Sequence, residues 1–168
     1  MNSPLSSIAR FALAAAALVQ FTDFDGKPAY VQKAKLDKDG HEQFDDAGAL
    51  IEENDLSKPI GVRMVAPGSK EARAAEDAVA KLARQRAEKM TKKERENSNT
   101  PSLFLWLGTE KAARMVTEFV NFDYQGAGAS LDNTLAFLND PQWKFLADQI
   151  RGATGADERF LQKESTSS

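Results

Sequence analysis

The chain has 168 residues, of which 42% are hydrophobic and 28% charged, a composition that fits one soluble domain with one modest core. It has no cysteine, which excludes disulfides, thiolate nucleophiles and thiolate zinc sites, and a single histidine, His41, which removes most histidine-based catalysis. The net charge of −3 is unevenly spread: residues 1–60 carry −4, residues 81–96 carry +4 and residues 97–168 carry −3.

Near the N-terminus, Arg10 precedes a nine-residue apolar run over 11–19. That run is too short for the roughly 20 residues needed to span a bilayer, and Gln20, Phe21 and Thr22 follow it in place of a small-x-small cleavage site. It is expected to be a short helix packed on the domain or an N-terminal arm, with no membrane contact.

From 21 to 65 the pattern predicts short extended segments broken by turns. Asp25-Gly26 and Asp39-Gly40 are hairpin dipeptides, because each can supply the positive φ of a tight turn. The strand candidates are 30–32 and 61–65, the latter alternating Val62 and Met64 against Arg63 and Val65. The acidic stretch 45–58 reads as a loop or one helical turn.

Pro67-Gly68 then breaks the chain, and Ser69 can cap a helix with Glu71 at the favourable end of its dipole. Ala72 stands where a capping box would place Glu or Gln. High helix propensity predicts one long charged helix over 69–96, roughly 40 Å in length at 1.5 Å per residue. Its helical projection gathers Val79, Leu82, Ala83 and Met90 on one side, with Arg86 intruding, and Lys81, Arg84, Lys92 and Arg95 on the opposite side. The apolar stripe is narrow for a core helix, which makes Val79, Leu82, Ala83, Arg86 and Met90 the candidate partner-binding residues and the four opposite cations a basic face.

Beyond Asn97, Thr100-Pro101 is expected to open a helix through 103–107, with Gly108-Thr109 as a break and a second helical run through Ala112, Val116 and Phe119. Ser130 caps a helix over 131–138. Asp140-Pro141 opens another, which Gly152 stops. The aromatic residues of this half, Trp143 and Phe145 among them, read most simply as core, with one or two of them able to form a partner pocket. The expected fold is mainly α, that is α+β with a small N-terminal β element: an arm of strands and hairpins over 1–60, then a helical domain over 61–168. Within it, the long helix 69–96 accompanies a compact cluster of short C-terminal helices over 101–162 and a tail over 163–168.

No catalytic, cofactor or metal site emerges. An EF-hand loop starting at Asp37 would need Gly at 42 and Glu at 48, where Glu42 and Gly48 stand. Gly126-Ala-Gly128 is half a dinucleotide fingerprint, with Leu131 in place of the third glycine. The basic half-helix is interrupted by Glu88, Glu94 and Glu96 and has no interleaved aromatic residue for base stacking, so nucleic acid is the least favoured partner.

Several segments, taken together, resemble the small tail assembly chaperones of long-tailed, siphovirus-type bacteriophages. They are Lys58-Pro-Ile-Gly-Val-Arg-Met-Val65, the helix start Gly68-Ser-Lys-Glu-Ala-Arg-Ala-Ala75, Ala83-Arg-Gln-Arg86, Thr117-Glu-Phe-Val-Asn-Phe-Asp-Tyr-Gln-Gly126, Leu138-Asn-Asp-Pro141 with Trp143 and Leu146-Ala-Asp-Gln149, and Phe160-Leu161. The likeness spans 57–162, departing at Ala72, where the family has an aromatic residue, and at the more hydrophobic 103–107. It implies a non-catalytic protein of the host cytoplasm that binds the tape measure protein and promotes tail tube assembly, with the tail tube protein as a second partner and self-association open to it. The rival readings are a virion structural component, such as a head–tail connector or decoration protein, and a nucleic-acid-binding accessory protein.

Overall fold

The computed structural model describes residues 16–96 and 101–155, without the side chains of Arg95 and Glu96. Residues 1–15, the expected Thr100 cap, Phe160-Leu161 and the tail over 163–168 lie outside these residues. The alternating segment 61–65 is the centre of the fold. It forms β4 (Gly61–Val65), flanked on one side by β1 (Ala16–Gln20) and on the other by β5 (Val116–Val120), all antiparallel. Val62 and Met64 are fully buried, whereas Arg63 is exposed and pairs with Glu118 at 2.9 Å.

This sheet corrects the expected fold class. Among the described residues there are five α-helices and five strands in two antiparallel sheets, 45% helix and 25% strand, so the fold is α+β and not mainly α. Two strands stand where the sequence pattern predicts a helix, or for the first a helix or an arm. The apolar run ending at Val19 supplies β1, because a free edge of β4 offers its backbone partners and Val19 and Phe21 find the core there. Val116 and Phe119 lie at a helical spacing, yet the β-branched sequence VTEFV continues the sheet as β5.

The second sheet is a ribbon of β2 (Tyr30–Ala34) and β3 (Glu52–Pro59), the latter from the acidic stretch expected to be a loop or one helical turn. Three turns of one design shape it. In Asp23-x-x-Gly26, Asp37-x-x-Gly40 and Asp45-x-x-Gly48, each aspartate Oδ1 accepts from the N–H groups two and four residues on, and each glycine has φ between 77° and 88°. The N–H groups of His41 and Asp39 hold the Asp37 carboxyl below the usual carboxylate range. At the ribbon's tip, three backbone hydrogen bonds close a ring: Lys35 N–H donates to Ile51, Ile51 to Gln43, and Gln43 to Lys35. At its base the same ring recurs through Phe21, Ile60 and Ala29.

The long helix is interrupted. Its first part, α1 (Lys70–Lys89), starts at the expected cap, with Ser69 Oγ accepting from Ala72 N at 3.0 Å. It ends at Met90, whose ψ of 140° leaves the helix. Thr91 then caps a short α2 (Lys92–Glu96) by a capping box: Thr91 Oγ1 accepts from Glu94 N, and Glu94 Oε2 accepts from Thr91 N. The T-x-x-E signature at 91–94 marks this break in the sequence.

Gly108 does not break the next helix, α3 (Pro101–Met115), which runs without a turn into β5. Helix α4 (Leu131–Asn139) starts at its expected Ser130 cap, and a 3-10 turn over Pro141–Trp143, capped by Asp140, leads into α5 (Lys144–Ala153). The core is therefore not a C-terminal helical cluster alone. It joins Val19 and Phe21, β4, Ala72 and Ala75 of α1, Ala112 and Met115 of α3, Phe137 of α4 and Ile150 of α5.

Within this core the Thr134 hydroxyl is fully buried and makes no hydrogen bond. An unpaired buried hydroxyl is a desolvation cost, and valine is nearly the same shape. Thr134→Val is expected to raise the stability by about 1 kcal/mol, read as a higher urea midpoint at unchanged slope.

Candidate partner groove

The predicted partner-binding stripe of α1 is largely taken up by the protein's own α3. Val79 is buried, Leu82, Ala83 and Met90 are half-buried, and α1 packs along α3, where Lys111 reaches Glu76 at 2.8 Å. Arg86, an intruder in the projection, has its guanidinium 4.9 Å from the centre of the Trp106 ring, a cation–π contact. Leu82, Arg86 and Met90 do line a shallow cleft of about 380 Å³ with Trp106. Lys81, Arg84 and Lys92 are exposed and make no ion pair with a described residue, and the Arg95 side chain lies outside the described residues.

A better-formed apolar site lies elsewhere, between the 21–29 loop and the start of α5. Two adjoining cavities of about 310 and 320 Å³ share Ala29, Trp143 and Leu146. Phe21, Ile60, Phe122, Tyr124 and Phe137 complete the first, and Phe24, Phe145, Thr22 and Gln142 the second. Asp123 lines the first cavity and Asp23 the second, the two carboxylates of a groove whose lining is otherwise apolar or neutral.

The floor is a ring cluster centred on Phe137, whose centroid lies 5.2 Å from Tyr124, 5.6 Å from Phe122, 5.7 Å from Phe119 and 6.2 Å from Trp143. These tilted and edge-on pairs fix the floor more rigidly than aliphatic packing would. Tyr124 donates its hydroxyl to Asp140 at 3.0 Å, and burial together with that carboxylate pushes the phenol above its ordinary value. Asn133, buried, donates to the Tyr124 and Gly128 carbonyls and holds the 124–128 loop beneath the groove.

The outer wall is of a different character. Phe24 is 87% exposed and stacks on Phe145 at 4.3 Å, and Trp143 and Phe145 are themselves partly open to solvent. The wall is clamped to the body by Gln149, whose Oε1 accepts from Thr22 N at 2.9 Å and whose Nε2 donates to Thr22 O at 3.0 Å. Asp148, one residue earlier, is held below the usual carboxylate range by hydrogen bonds from Lys144 and then Arg151. Gln149→Ala removes these two bonds and a third, which the Thr22 hydroxyl donates to Oε1 at 3.3 Å, and a loss of about 1–2 kcal/mol in stability is expected, together with faster amide exchange over 22–28.

The sequence did not place this groove. Its residues come from five separated stretches, and the visible signal, the aromatic richness of 119–145, reads equally as core. Phe24 gave the one hint, as a large apolar side chain inside a polar turn. Among the described residues no group of three or more His, Cys, Asp or Glu is placed to hold a metal, and no helix is long and apolar enough to cross a membrane. Comparison with family models, with curated proteins and with solved structures finds no match.

Proposed function

We propose that this protein is a non-catalytic tail assembly chaperone of a long-tailed bacteriophage, acting in the host cytoplasm. Its aromatic groove holds an amphipathic segment of the tape measure protein and keeps that long chain soluble while tail tube subunits polymerise around it. The observation that carries this reading is the groove itself: two apolar cavities side by side, with Phe24, Trp143 and Phe145 left open to solvent along one wall. An apolar helix offers side chains three and four residues apart, and two adjoining cavities match two such anchors. Asp23 and Asp123 favour basic residues beside the anchors. The sequence likeness over 57–162 supplies the identity of the client, and Trp143, Leu146 and Gln149, which carry part of that likeness, all belong to the groove or its clamp.

Co-expression with a tape measure protein of the same phage tests this. A soluble complex is expected with the unaltered chain and an insoluble client with Trp143→Ala/Phe145→Ala. A client equally soluble with that double variant, or this chain retained in purified particles, would contradict the proposal, the second result favouring a virion structural component.

A further inference from the structure

Two charged projections remain outside the groove. The ribbon over 30–59 carries eight carboxylates against four lysines, a net −4, and the helical segment 81–94 carries six cations against two carboxylates, a net +4. Ion pairs of the ribbon stay within it: Lys33 with Glu53 and Lys58 with Asp55. Glu42, Asp46 and Glu52 are exposed with no ion-pair partner among the described residues, as are Lys81, Arg84 and Lys92 on the helices. No described hydrogen bond, ion pair or ring contact joins residues 31–58 to α1, α2 or α3.

Each projection also leaves apolar side chains in water. Leu36, Phe44 and Leu56 stand on the ribbon at 53–72% exposure, and Phe104 and Leu105 at the start of α3 are 66% and 52% exposed. A two-stranded ribbon is marginal on its own, and both of its outer edges lack a strand partner among the described residues. The opposite and equal net charges, each beside uncovered apolar residues and neither paired with the other within the molecule, make the two surfaces complementary.

We infer that the acidic ribbon of one copy docks against the basic α1–α2 face and the exposed start of α3 of a second copy. The contact is head-to-tail, since the two surfaces differ, so it propagates into a ring or a filament and does not stop at a symmetric dimer. Apolar contact of Phe44 and Leu36 with Phe104 and Leu105 supplies adhesion, and the charges set orientation and register.

The test is sedimentation velocity of the full chain over a concentration series, at about 0.1 M and about 1 M salt, between which the screening length shrinks from about 10 Å to about 3 Å. The unaltered chain is expected to exceed the monomer mass at low salt and to dissociate at high salt. Glu42→Lys/Asp46→Lys/Glu52→Lys reverses the ribbon, and Lys81→Glu/Arg84→Glu/Lys92→Glu reverses the helical face. Each triple variant alone is expected to be monomeric with an unchanged circular dichroism spectrum, and an equimolar mixture of the two to recover the low-salt association. A chain that is monomeric at every concentration, variants that associate as the unaltered chain does, or a mixture that stays monomeric would each overturn the inference.

Discussion

Replacing Phe137 by alanine is expected to cost about 3–5 kcal/mol, the largest effect of any single truncation on the groove side of the molecule. Phe137 is 1% exposed and touches four other rings, so its removal leaves a void that Phe119 of β5, Phe122 and Tyr124 of the loop after it, and Trp143 of the 3-10 turn cannot close together. The loss exceeds the transfer energy of one side chain, because four ring pairs go with it. Urea unfolding monitored by circular dichroism measures the cost. Phe137→Leu, which keeps most of the volume and loses only the ring geometry, is expected to lose markedly less. If the two variants proved equally stable, the packed-ring description of the floor would be wrong.

The second large effect comes from a residue with no side chain. A Cβ on Gly61 would sit 2.3 Å from the Val19 carbonyl oxygen and 2.9 Å from the Gln20 Cα, both backbone atoms of β1 that cannot turn aside. Gly61→Ala must therefore push β1 from β4 at the end where the ribbon leaves the sheet, and Gly61 pairs with both Gln20 and Val120. A destabilisation of about 3 kcal/mol is expected, with amide exchange accelerated first in β1. Gly108, inside α3 with nothing near its Cβ position, is the contrast: alanine there is expected to stabilise by about 1 kcal/mol through helix propensity. Thermal melts of the two variants should move in opposite directions.

Features set by a few neighbouring residues were legible in the sequence. Ser69 and Ser130 open their helices as expected, because a cap depends on one side chain and the next three N–H groups, whereas Asp140-Pro141 opens only the 3-10 turn before α5, and Gly152, expected to stop that helix, lies within it. The strand at 61–65 was legible from its alternation, and Gly26 and Gly40 from their turn dipeptides. What failed was whatever depended on a distant partner. The acidic sequence EENDLSKP has little strand character, and becomes β3 only because the Asp37 and Asp45 turns return the chain alongside β2. The alanine-rich run ending at Val19 favours helix in isolation, yet its residues 16–19 belong to β1 because β4 has an edge to fill. The helical stripe of α1 was read correctly as apolar, but the sequence could not say that α3 would cover it, nor that Arg86 would find Trp106.

The groove was the least legible part, for the same physical reason. Phe21, Ile60, Phe122 and Trp143 converge only after the sheet, α4 and α5 have packed, and a residue lining an open cavity has the composition of one inside a core. The Gln149 clamp on Thr22 spans 127 residues of sequence, and no local pattern announces it.

The most direct measurement is calorimetric titration of the purified chain with peptides that tile the tape measure protein. At least one apolar, basic-flanked helical peptide is expected to bind, its affinity falling about tenfold or more, equivalent to about 1.4 kcal/mol, with Trp143→Ala and holding unchanged with Lys81→Glu/Arg84→Glu. Binding that is indifferent to Trp143 and lost on reversing the α1 cations would contradict the assignment of the aromatic groove as the client site.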